Sequence, residues 1–92
     1  MKNIYYARFT EEELGGYSID FPNIDGAYTE GDTIEECLKM AKECLELHLW
    51  NIIDDRDIIP DQPKLEEIEL NENQKLFEII VDIKVLDFSY KR

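Results

Sequence analysis

The sequence predicts an α+β fold: a four-stranded mixed sheet with one main helix packed on one face, in the order β-β-β-α-β. Three observations carry this reading. Segments near both ends alternate with a period of two, the middle of the chain has an apolar stripe at helical spacing behind a capping signal, and glycine and proline punctuate what lies between.

The first strand runs from Asn3 to Thr10, where Ile4-Tyr6-Arg8 and Tyr5-Ala7-Phe9 form two rows of residues suited to a pleated surface. Gly15 and Gly16 close "EEELGG" and can take the positive φ angles of a hairpin turn. "YSIDF" resumes the alternation as a second, half-buried strand, with Tyr17, Ile19 and Phe21 on one side and Ser18 and Asp20 on the other. Pro22 has no N–H for a ladder, so the strand stops there; "PNIDG" turns the chain and "AYTE" is a short third strand broken by Gly31.

Thr33 and Glu36 form a Thr-x-x-Glu capping box, and Asp32, Glu35 and Glu36 place negative charge at the positive end of the helix dipole. From there to about Asp54, Ile34, Cys37, Leu38, Ala41, Cys44, Leu45, His48, Leu49 and Ile52 recur at helical spacing and face the sheet. His48 sits at the stripe's edge as a packed side chain, and Cys37 and Cys44 are small apolar fillers, since seven residues of helix separate them by about 10 Å, beyond a disulfide. Met40, Leu47 and Trp50 lie round the back and need a cover. Either the loop "IIPDQPKLEEIEL" folds over them, with Ile58 and Ile59 the favoured apolar partners, or another chain buries them, with Trp50 then the first interface candidate.

Lys64 to Leu70 reads equally as a helical turn or an edge strand. The last strand spans Leu76 to about Phe88, with Phe77, Ile79, Val81, Ile83 and Val85 in one row and Glu78, Asp82, Lys84 and Asp87 dominating the other. A helical crossover most naturally returns a strand parallel to an earlier one, which is why a mixed sheet is expected.

The chain's 92 residues are expected to form a single domain, 1–92. Its net charge of −12, from 22 acidic and 10 basic residues, opposes binding to phosphate backbones or anionic lipid and suits a basic protein partner. Between Glu11 and Glu36 there is no Lys or Arg, while Glu11, Glu12, Glu13, Asp20, Asp25, Glu30, Asp32, Glu35 and Glu36 are all acidic. No stretch reaches the ~18 apolar residues of a membrane span, and "MKNIYYARFT" has no signal-peptide core, so a cytoplasmic protein is expected. No nucleophile-histidine pair, phosphate loop or zinc spacing is present, so no enzyme activity and no cofactor are expected. Asp20, Glu36 and Asp82 are the best set for a magnesium ion, a weak signal in so acidic a chain.

"GGYSIDFPNIDGAYTEGDTIEECLKMAKECLELHL" resembles the HicB family of bacterial antitoxins. The family pattern falls in register on Gly16, Tyr17, Phe21, Pro22, Gly26, Thr29, Gly31, Asp32, Thr33 and Glu36, with Cys37 where the family usually has Ala, and the resemblance continues through the last strand. It implies a partial RNase H-like fold without that enzyme's catalysis, since Lys2 to Thr10 carries no acid. It also implies a small basic toxin as partner, the HicA type of mRNA-cleaving ribonuclease, blocked by covering its RNA surface. Many members continue into a DNA-binding segment; this chain ends at Arg92, so direct DNA binding is not expected of it. The expected contact residues are Glu11, Glu12, Glu13, Asp20, Asp25 and Glu30, with Trp50 as an apolar anchor. A homodimer is expected over a monomer, and a self-associating domain without a toxin is the competing reading.

Overall fold

A computed structural model describes residues 2–22, 24–60 and 64–82, with the side chains of Lys2 and Asp82 outside the description. Four strands, β1 (Lys2–Glu11), β2 (Tyr17–Asp20), β3 (Tyr28–Gly31) and β4 (Gln74–Asp82), form one sheet in the order β3-β2-β1-β4. The helix α1 (Ile34–Asp54) lies on one face, and a 3₁₀ turn at Leu65–Glu67 interrupts the chain between α1 and β4. That single turn settles the Lys64–Leu70 segment as a helical turn rather than an edge strand. Residues 61–63, and the part of the last strand expected beyond Asp82, with Ile83, Lys84, Val85 and Asp87, lie outside the described residues.

The two rows read in β1 sort onto opposite faces: Tyr5, Ala7 and Phe9 are buried against α1, while Ile4, Tyr6 and Arg8 point the other way. Ile19 pairs beside Phe9 and Ile79 beside Tyr5, so each strand adds its apolar residue to the same layer. Phe9 sits at the centre, its ring centroid 4.4 Å from Phe77 and 6.2 Å from Tyr17. From the helix come Cys37, Ala41, Leu45 and Leu49, all fully buried.

The sheet departs from expectation in one respect: it is antiparallel throughout, with β4 antiparallel to β1 from Lys2↔Asp82 to Thr10↔Gln74. A parallel return requires β4 to begin where α1 ends. Here α1 ends at Asp54 and β4 starts at the opposite end of the sheet, beside the end of β1, where the Glu11 amide donates to the Asn73 carbonyl at 2.9 Å.

Both helix ends are built locally. Thr33 Oγ1 accepts from the Glu36 amide at 3.1 Å, the first bond of the expected capping box, while Glu36 Oε1 reaches one residue beyond the N-cap and accepts from the Asp32 amide at 2.6 Å. At the other end Arg56 takes φ 59°, and the Arg56 and Asp57 amides donate to Ile53 and Ile52, the two bonds of a Schellman cap closed without glycine.

Trp50 is buried at 2% exposure, which corrects its reading as an exposed anchor. The apolar stripe advances by four residues per step, and four residues overshoot a helical turn by about 40°. From Cys37 to Leu49 the buried direction therefore rotates far enough to bring Ile53 against the core cluster, while Trp50 is buried outside that cluster. Ile58, one of the two expected covers, is 86% exposed, whereas Ile59 is half-buried against the core.

Candidate partner-binding surface

The β1–β2 hairpin, the end of β3 and the first turn of α1 meet at one end of the sheet. The hairpin turn is held by the Glu12 amide donating to the Gly16 carbonyl and by Gly15 donating to Glu12, with φ 100° at Gly15 and 77° at Gly16. Register then sets Glu30 opposite Ser18 on the face away from α1, and Ser18 Oγ donates to Glu12 Oε2 at 2.6 Å. Gly31 lets the helix start close over the strand, which carries Asp32 and Glu36 to the same place.

The result is an open cleft of about 590 Å³ around Glu12, Glu30, Asp32 and Glu36, floored by Gly15, Gly16 and Tyr17 and reaching Met40. All four carboxylates are exposed and no basic residue lines the cleft. Glu11 and Glu13 flank it on the hairpin, both exposed, and Leu14 stands fully exposed at the hairpin tip. Four carboxylates around one concave surface raise the local concentration of cations and of basic side chains.

Three of the expected contact residues lie elsewhere. Asp20 faces Arg8 across the β1–β2 register, with Arg8 Nε donating at 3.0 Å and Nη2 at 2.6 Å, a two-pronged pair in which both side chains are less than one-third exposed. The hydrogen bonds to Asp20 hold the Arg8 pKa above its ordinary value, partial burial works against this, and the Asp20 charge adds to it. Asp25 is exposed in the turn after β2, at the opposite end of that strand from the cleft, and Trp50 is buried. Asp32 and Glu36, read from the sequence as helix-start chemistry, serve the cap and line the cleft as well.

Of the set considered for magnesium, Asp20 is engaged by Arg8 and Glu36 by the Asp32 amide. Among the described residues no three His, Cys, Asp or Glu side chains gather as a metal-binding group. Cys37 and Cys44 are free thiols, both pushed above their ordinary pKa by burial, and at Cys37 the Glu36 and Asp32 charges add to the effect. No helix among the described residues is long and apolar enough to cross a membrane.

Comparison with known proteins places this arrangement. Antitoxin HicB 1 of Photorhabdus laumondii is 41% identical over 65% of this chain, and the matched stretch spans 39% of the antitoxin's length. An uncharacterised 14.9 kDa protein of Haemophilus phage HP1 is 28% identical over 79% of this chain, and 56% of its length is covered. Among solved structures, a toxin–antitoxin complex from Streptococcus pneumoniae contains a chain with TM-score 0.84 at 19% identity, over 100% of this chain and 77% of that one. The N-terminal domain of Burkholderia pseudomallei antitoxin HicB aligns with TM-score 0.71 at 18% identity, over 87% of this chain and 99% of that one. These two structures share the fold. The family model described as HicB-like antitoxin of bacterial toxin–antitoxin system matches residues 5–92, and the chain belongs to that family.

Proposed function

We propose that this chain acts as a non-enzymatic antitoxin domain that neutralises a small basic HicA-type ribonuclease by covering its RNA-binding surface. The observation that supports the reading, beside the family, is the cleft at the hairpin end, where four exposed carboxylates converge and no base dilutes them. A toxin surface that grips RNA phosphates is basic, and such a surface is complementary to this one. Glu11, Glu12, Glu13 and Glu30 are the contact acids; Glu36 contributes while also holding the helix start.

Isothermal calorimetry against a purified HicA-type basic protein, at low and moderate salt, tests the proposal. Tight binding that weakens with salt supports it, and absence of binding at both salts refutes it. The competing reading, a self-associating domain without a toxin, has one observation in its favour. Ile4 and Ile80 are paired neighbours on the helix-free face of the sheet and are 38% and 49% exposed. Sedimentation of the chain alone, and of Ile80→Lys, distinguishes the two.

A further inference from the structure

We infer that the docking surface continues from the acidic cleft into the seam between β3 and α1, and that this seam takes a basic amphipathic segment of the toxin. The inference rests on the antitoxin reading above and adds the chemistry of what is bound. Tyr28 and Thr29 of β3 and Met40, Glu43, Cys44, Leu47 and His48 of α1 line a groove of about 300 Å³. Tyr28 is 74% and Leu47 47% exposed, large apolar side chains in a chain of net charge −12.

Two features select the occupant. Two polar groups beside the groove are already engaged: the Cys44 thiol donates to the Tyr28 carbonyl at 3.5 Å, and His48 Nδ1 donates to the Cys44 carbonyl at 3.1 Å. Met40 lines both the groove and the acidic cleft, so the two form one trough. Along α1 the trough runs from Glu36 to His48, about 18 Å of helix rise. A segment that fills it presents apolar side chains to Met40 and Leu47, and Lys or Arg to Glu12, Glu30, Asp32 and Glu36. A second copy of this acidic chain would set like charges against the cleft.

The test measures affinity for a HicA-type basic protein by calorimetry at two salt concentrations, with the fold of each variant checked by circular dichroism. Leu47→Ala is expected to weaken binding about ten-fold with its salt dependence unchanged. Glu30→Gln is expected to flatten the salt dependence. Ile58→Ala, an equally apolar truncation outside the seam, is expected to stay within about two-fold of the parent. Wild-type affinity for Leu47→Ala, in a parent that binds tightly and salt-sensitively, overturns this inference and leaves the antitoxin reading standing. No binding by the parent removes both. Amide shift changes on complex formation are expected at residues 28–30 and 40–48, and their absence there overturns the seam. Dissociation of a homodimer by Leu47→Ala, in the chain alone, assigns the seam to a second copy and overturns it too.

Discussion

Gly31 ends β3 where α1 crosses closest to the sheet, and replacing it with alanine tests how rigid that crossing is. A Cβ at Gly31 would lie 2.8 Å from Cys37 Sγ, 3.2 Å from the Cys37 amide nitrogen and 3.3 Å from its Cα. The sulfur is fully buried and has no solvent to swing into, and the amide belongs to a helix start pinned by Thr33 and Glu36. Overpacking of this kind costs about 1–3 kcal/mol, against which the stiffer unfolded chain returns about 0.4–1 kcal/mol. Gly31→Ala is therefore expected to lose about 1–2 kcal/mol, a fall in Tm of roughly 5–15 °C for a domain this size. Cys37→Ala alone should cost about 1 kcal/mol, for one buried heavy atom and the space it leaves. The double variant should be about 1 kcal/mol more stable than the sum of the two predicts, because the nearest clashing atom is gone. Urea unfolding followed by the fluorescence of Trp50, the one tryptophan, measures all four corners of the cycle. Parental stability in Gly31→Ala, or strict additivity in the double variant, would refute the reasoning.

Thr33→Ala removes the acceptor for the Glu36 amide and should cost about 1 kcal/mol, read as a lower urea midpoint. Arg56→Gly should stabilise by about 0.5–1 kcal/mol, because the left-handed φ of 59° is strained for arginine and free for glycine; a lower midpoint would show that the arginine side chain contributes more than its backbone costs. Asp20→Asn should lose no more than about 1 kcal/mol and leave calorimetric affinity for the basic partner unchanged, since the Asp20 oxygens are turned to Arg8. Both thiols have folded pKa values raised by burial, so the unfolded chain releases their protons first as pH climbs. Their contribution is complete below about pH 8.5–9 and is lost as pH rises beyond that, so the urea midpoint should fall more between pH 8 and pH 10 in the parent than in Cys37→Ala/Cys44→Ala. Equal falls in both would assign the alkaline loss to other groups.

What could be read residue by residue was read well, because its causes lie within a few positions along the chain. Alternation in β1 assigned Tyr5, Ala7 and Phe9 to one face, and all three are buried. Thr33 announced a helix start whose cap bond to the Glu36 amide is present, though Glu36 reaches the Asp32 amide instead of that of Thr33, and the stripe gave the buried side through Cys37, Ala41, Leu45 and Leu49 but not Leu38, which is exposed. The site was less legible. Glu12 and Glu30 were chosen for their charge, and so were Asp20 and Asp25; only the first two reach the cleft. Charge identifies a residue's kind, while register decides its company, and the register that sets Arg8 beside Asp20 is a property of paired strands.

By itself, the sequence determined the number and kind of elements, the helix cap, the turn glycines and the family. Each follows from local sterics, hydrogen bonding and hydrophobic period. Tertiary structure alone decided the direction of β4, the burial of Trp50, the capture of Asp20 by Arg8 and the meeting of Glu12, Glu30, Asp32 and Glu36. Those outcomes depend on where β4 begins relative to the end of α1, on what covers each face of the helix and on strand register, all set by the packing of segments distant in sequence.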